Sequence, residues 1–72
     1  MNKTFTAVIK NVDSWWIGWI EEIPGVNCQE KTKEKLFDSL RVTLKESLEI
    51  NRQESLIAAG SNYYEETISL SI

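Results

Sequence analysis

The sequence predicts an α+β domain of order β-β-β-α-β, in which a three-stranded antiparallel meander packs on one helix and a C-terminal strand follows. Stretches rich in β-branched and aromatic residues come first, leucines at helical spacing come next, and an alternating apolar stretch ends the chain. At 72 residues the chain forms one domain, residues 1–72, with a small core.

The first two strands form a hairpin. Residues 4–9 (TFTAVI) have strand composition, and residues 15–22 form the second strand. Between them, residues 11–14 carry Asn and Asp side chains that bond their own backbone in turns. So short a link excludes a parallel crossover. One face of the first strand carries Phe5, Ala7 and Ile9.

A Pro-Gly pair ends the second strand. Pro24 has no N–H to donate to a ladder, and Gly25 permits a positive φ. Residues 26–29 then form a short third strand that turns back beside the second.

One long helix follows the meander. Thr32 is a good N-cap residue, and Gly60 is a natural stop. Apolar residues at intervals of four predict the face that packs on the sheet. These residues are Leu36, Leu40, Leu44 and Leu48, with Phe37 widening the stripe.

A fourth strand is predicted at residues 66–72 (ETISLSI). Ile68, Leu70 and Ile72 alternate with small polar residues, which is typical of a half-buried strand. We expect it to join the sheet edge or to pair with another chain.

Composition argues against catalysis. The chain has no histidine, the commonest general base and metal ligand, and its single cysteine, Cys28, cannot build a zinc site. Glu21 and Glu22 are neighbours in the predicted strand and point to opposite faces, so they do not hold a metal together. We therefore predict no enzyme activity, no cofactor and no metal.

Charge and targeting signals indicate the kind of partner and the cellular compartment. A net charge of −3 disfavours independent nucleic-acid binding and suits a basic partner. A single unpaired thiol fits a reducing compartment, and neither a signal peptide nor a membrane span is recognisable. We predict a cytoplasmic protein without membrane contact.

All three tryptophans lie between positions 15 and 19, in WWIGWIEEIPGV. Trp16 and Gly18 share one strand face with Ile20, and the glycine lets a helix approach closely, so this face is predicted to meet the helix. The opposite face has no second helix to cover it, unless the sheet curls and buries it. The hypothesis is a partner interface made of Trp15, Ile17 and Trp19 with the acidic Glu21 and Glu22.

The run WWIGWIEEIPGVNCQEKT, followed by KEKLFDSLRVTLKESLEINR, resembles the HicB-like antitoxin family over nearly the whole chain. The shared pattern is an aromatic strand, a Pro-Gly turn, a short strand and a helix that begins at a threonine. Fitting positions are Trp16, Ile17, Gly18, Ile20, Pro24, Gly25, Gln29, Thr32, Glu34, Leu40 and Leu44. Departures are Glu21, Val26, Glu30 and Lys35, where the family more often has proline, cysteine, glycine and a small residue.

The resemblance implies a partial ribonuclease-H-like fold and a protein partner. HicB-like proteins of prokaryotic type II toxin–antitoxin systems neutralise HicA-type toxins, small basic ribonucleases that cut messenger RNA with a histidine, by occluding that site. Many members add a C-terminal DNA-binding domain, for which this sequence leaves no room, so we expect no direct DNA binding. We also expect a dimer or a higher homo-oligomer.

Three other functions stay open. One is an orphan homo-oligomeric domain of the same fold without a toxin. A neighbouring gene for a small basic protein with a key histidine would argue against this alternative. Another is a single-stranded RNA-binding module that stacks bases on the tryptophan face, which predicts salt-sensitive RNA binding. The last is a degenerate nuclease, which predicts metal-dependent cleavage.

Overall fold

A computed structural model describes residues 3–71 as an α+β domain with a three-stranded antiparallel sheet and one helix. The elements are β1 (Ala7–Val12), β2 (Trp15–Ile20), β3 (Asn27–Glu30) and α1 (Lys33–Ala59). The strands lie in the sheet in chain order, which confirms the predicted meander with its helix. Among the described residues, no helix combines the length and the apolarity of a bilayer span.

The predicted hairpin joins β1 to β2 through a two-residue loop. Val12 pairs with Trp15 at the loop end, and Asp13 takes a φ of 56°, a conformation that aspartate tolerates. This tight loop lets pairing continue to Val12. The strand β1 therefore starts and ends three residues later than the predicted residues 4–9. In turn β2 stops at Ile20, two residues short of its predicted end, because the Ile20 carbonyl accepts from the Ile23 N–H and the chain turns there.

Pro24 and Gly25 form the turn between β2 and β3. The Val26 N–H donates to the Ile23 carbonyl over 3.4 Å, and Gly25 has a φ of 90°. Proline second and a positive-φ glycine third is the pattern of a type II turn. The turn places Val26 beneath the helix, where it is 1% exposed. The third strand lies one residue later than predicted.

Both predicted ends of the helix are confirmed. The Thr32 hydroxyl accepts from the Lys35 N–H at 3.1 Å, as an N-cap does, and Gly60 ends the helix with a φ of 74°. The 27 residues of α1 span about 40 Å, whereas a six-residue strand spans about 20 Å. The second half of the helix therefore projects beyond the sheet, and Leu48, predicted to face it, is 36% exposed.

The core lies between α1 and the helix-facing side of the sheet. Its buried members are Ile20, Val26, Leu36 and Leu40. Around them pack Phe5, Ala7, Ile9, Trp16, Ile23, Cys28 and Leu44, which places the predicted apolar face of the first strand against the helix. Phe37 stands at the border of this core and is 39% exposed.

Gly18 is the point of closest approach between sheet and helix. A Cβ atom there would lie 3.1 Å from the Val8 carbonyl oxygen and 3.2 Å from a methyl group of both Leu36 and Leu40. The predicted reason for a glycine in the middle of β2 is therefore confirmed.

Replacing Gly18 by valine is expected to lower the free energy of unfolding by about 1–3 kcal/mol, because the added methyl groups overpack the contact with α1. Urea unfolding followed by circular dichroism measures the loss. Gln29→Val, which adds a β-branched side chain to an exposed position of β3, is the control and should change stability little. Equal stability of the Gly18→Val variant and the wild type would contradict this packing.

The predicted fourth strand is not formed within residues 3–71. Residues 63–71 have no assigned strand or helix, and Ile68 and Leu70 are 92% and 80% exposed. After Gly60 the chain turns back along the helix, where the Glu65 carboxylate lies 3.7 Å from the Arg52 guanidinium, but none of residues 63–71 joins the sheet. Ile72, the last residue of that predicted strand, lies outside the described residues.

Candidate functional site

The sheet face opposite α1 is uncovered within residues 3–71. Strand alternation puts Trp16 and Gly18 toward the helix, so their neighbours in β2 point the other way. We call this surface the open face. It consists of Val8, Lys10, Val12, Trp15, Ile17, Trp19, Asn27 and Gln29.

Trp19 lies at one end of the open face, opposite Val8 on β1 and Asn27 on β3. Tryptophan has the largest side chain of the standard amino acids. Because Trp19 is 38% exposed, a large area of its indole ring is in contact with solvent. Because neighbouring strands hold its backbone on both sides, the ring is presented from a fixed position. Such a site can bind an apolar partner without first ordering a loop.

Trp15 lies at the other end of the open face, beside Val12, which is 41% exposed. The ammonium nitrogen of Lys31 is 3.8 Å from the centroid of the Trp15 ring, a cation–π contact that covers part of the indole. Between the two tryptophans, Ile17 is flanked by Lys10 and Gln29. The open face therefore has an apolar centre with two lysines beside it.

Trp16 has a different environment. Its ring packs half-buried against the core, with the Lys33 ammonium nitrogen 6.0 Å from the ring centroid. The three tryptophans of β2 thus lie on two different surfaces, as the alternation of side chains along a strand predicts. Trp16 belongs to the helix-facing side, and Trp15 and Trp19 belong to the open face.

Glu21 and Glu22 follow β2 and form hydrogen bonds with Thr6 in the N-terminal segment. The Glu21 N–H donates to the Thr6 carbonyl over 2.9 Å, and the Glu22 carboxylate accepts from the Thr6 N–H over 2.8 Å. Since β2 ends at Ile20, the expectation that the two glutamates alternate along a strand is wrong. They stand beside the Trp19 end of the open face, but Glu22 already has a structural partner.

The hydrogen bond from the Thr6 N–H lowers the pKa of Glu22, because it stabilises the ionised carboxylate. A lowered folded-state pKa stabilises the fold above the usual glutamate range, about pH 4.3, and this contribution is lost as the pH falls through the lowered value. We expect NMR titration to show this pKa below the usual range. The Glu22→Gln variant should be less sensitive to acid between those pH values. A normal pKa for Glu22 would contradict the contact.

Two polar contacts join β3 to the helix. The Cys28 sulfur lies 3.5 Å from the Thr43 hydroxyl, and the Ser39 hydroxyl donates to the Glu30 carboxylate over 2.6 Å. Neither contact is predicted from the sequence, although Cys28 and Glu30 share the helix-facing side of β3. Cys28 is half-buried, and its contact with Thr43 helps to hold β3 against the helix.

The acidic side chains do not converge on a metal site. Across residues 3–71, no three His, Cys, Asp or Glu side chains come close enough together to hold a metal ion. What the structure does bring together is aromatic and aliphatic surface on a rigid sheet.

The fold and this face define the chain as a small α+β domain with an uncovered aromatic sheet surface. No protein-family model, curated protein or solved structure gives a significant match to it.

Proposed function

We propose that this protein is a HicB-like antitoxin that binds a HicA-type toxin, an mRNA-cleaving ribonuclease, and occludes its active site. The observation that carries the proposal is the open face, where Trp15, Ile17 and Trp19 lie together on a rigid sheet. Exposed aromatic clusters of this kind are typical of protein interfaces. The resemblance of the sequence motif suggests the family, and the net charge of −3 favours a basic partner.

The same proposal includes the finer features of the fold and its setting. The three strands and α1 correspond to the start of a partial ribonuclease-H-like fold, which residues 66–72 complete as a C-terminal strand. The protein acts in the cytoplasm as a dimer or a higher homo-oligomer, without catalysis and without contacting DNA directly. Its lack of histidine suits an inhibitor better than a nuclease.

A growth-rescue assay tests this function. Each small reading frame that flanks the gene is induced alone and then together with this protein. We expect one frame to stop growth and co-expression to restore it. If neither frame is toxic, the antitoxin proposal fails and an orphan homo-oligomeric domain of the same fold takes its place.

Lys10 and Lys31 favour a second candidate, a single-stranded RNA-binding module. Both lysines stand beside the tryptophans, and a lysine near stackable aromatic rings is a feature of RNA-binding surfaces. This function predicts that the isolated protein binds RNA with an affinity that falls steeply as salt rises. A fluorescence-anisotropy titration with labelled single-stranded RNA at two salt concentrations decides it.

A further inference from the structure

The outer edge of β1 is unpaired within residues 3–71. Because β1 pairs only with β2, one side of its backbone ladder is free. The N–H and the carbonyl of Thr6 bond Glu22 and Glu21, which follow β2. Because backbone groups alternate along a strand, the N–H and carbonyl groups of Ala7 and Ile9 point away from β2, toward the unpaired edge. An exposed edge of this kind is a template for a further strand.

An apolar groove of about 180 Å³ runs beside this edge, between β1 and the helix. Its lining comes from both elements: Phe5, Ala7, Ile20, Phe37, Leu40, Arg41 and Leu44. Phe37 stands open at its border, and Arg41 is the one charged residue in the lining. A strand added to β1 would place alternate side chains in this groove.

The tail, residues 61–71, has the composition of the missing strand. Ile68 and Leu70 are 92% and 80% exposed, and in an extended strand the two side chains would share one face. Thr67 and Ser69 occupy the other face, as suits a strand with one side in solvent. Glu66 precedes these residues and is opposite in charge to Arg41 of the groove, which also pairs with Asp38 over 3.4 Å.

The tail does not occupy the groove of its own chain. Glu65 lies against Arg52, with 3.7 Å between the charged atoms, and it lines a surface pocket together with Lys3 and Lys45. Beyond it, Ile68 and Leu70 are 92% and 80% exposed, so neither side chain is buried in the groove. The groove and the outer edge of β1 are therefore open to a strand from a second copy.

We propose that the tail of one copy adds as an edge strand to β1 of a second copy, with Ile68 and Leu70 in the groove. The exchange is reciprocal, because each copy offers one tail and one edge. Each protomer then completes its sheet with a strand from its partner, and Phe37 is covered. This inference rests on the completion of the sheet by a C-terminal strand, as proposed above, and not on the identity of the toxin.

Sedimentation equilibrium of the full chain tests the exchange. We expect a dimer, and we expect Ile68→Asp with Leu70→Asp to weaken dimerisation by roughly 100-fold or more, because two charges would enter an apolar groove. Thr67→Asp with Ser69→Asp, which adds the same charges to the solvent face, is the matched control and should stay dimeric. Circular dichroism confirms that both variants keep the helix. A monomeric wild type, or equal dimerisation of both variants, overturns the proposal.

Disulfide trapping separates exchange from pairing within one chain. In a Cys28→Ser background, one variant carries Thr6→Cys, and a second carries a cysteine at residue 67, 69 or 71 in turn. Mixing the two variants and oxidising them should give a covalent heterodimer at one of these positions. A variant that carries both cysteines and closes an intramolecular disulfide at high dilution overturns the proposal. The growth-rescue result is independent of this experiment, so either proposal can fail alone.

Discussion

Replacing Leu36 by alanine is expected to cost about 2–5 kcal/mol of stability, because the leucine is fully buried and the cavity left behind collapses only in part. Its side chain lies over Gly18, where the sheet comes closest to the helix, with Leu40 beside it. Small domains have little stability in reserve, so a loss of this size unfolds a large fraction of the molecules at 37 °C.

Thermal and urea unfolding, followed by helical circular dichroism, measure the loss at Leu36. Ile57→Ala is the matched control, since it removes the same number of carbon atoms from the same helix at a position that is 78% exposed. We expect it to change the free energy of unfolding by less than about 0.5 kcal/mol. If the two variants lose similar stability, the core between α1 and the sheet is not where the structure places it.

Local chemistry predicted both ends of the helix and the turn between β2 and β3. Thr32 and Gly60 mark the ends of the helix through side-chain capping and a positive φ, which depend on neighbouring residues only. Pro24 and Gly25 likewise specify their own turn. The division of the tryptophans follows from strand alternation and from the glycine at position 18.

What the sequence did not predict depends on distant contacts. The leucine repeat continues to Leu48 although the sheet has ended by then, because helical periodicity does not reveal where a helix leaves its support. The ETISLSI stretch has a strand pattern, but a strand also needs a partner edge, and the pattern does not reveal which edge supplies it. At the candidate site, the contacts of Glu22 with Thr6 and of Lys31 with Trp15 join elements that sequence spacing does not relate.

Trp19→Ala is expected to leave the domain folded and to weaken binding of the proposed toxin partner by roughly 30-fold or more, the effect of removing an interface residue worth about 2 kcal/mol. Trp19 is the most exposed tryptophan of the open face, and its side chain points away from α1. Its loss removes binding surface and leaves the helix-facing core intact. The far-ultraviolet spectrum of the variant should therefore match that of the wild type.

Trp16→Ala is the control that separates binding from folding, since it removes an indole from the same strand on the helix-facing side. We expect that variant to lose stability, whereas Trp19→Ala loses affinity in a pull-down with the toxin identified by growth rescue. A collapsed spectrum for Trp19→Ala would assign its ring to the core, and unchanged binding would move the interface off the open face. The two tryptophans have the same side chain but lie on opposite sides of the sheet. If Trp16→Ala lowers stability and Trp19→Ala lowers affinity, the partner binds the open face.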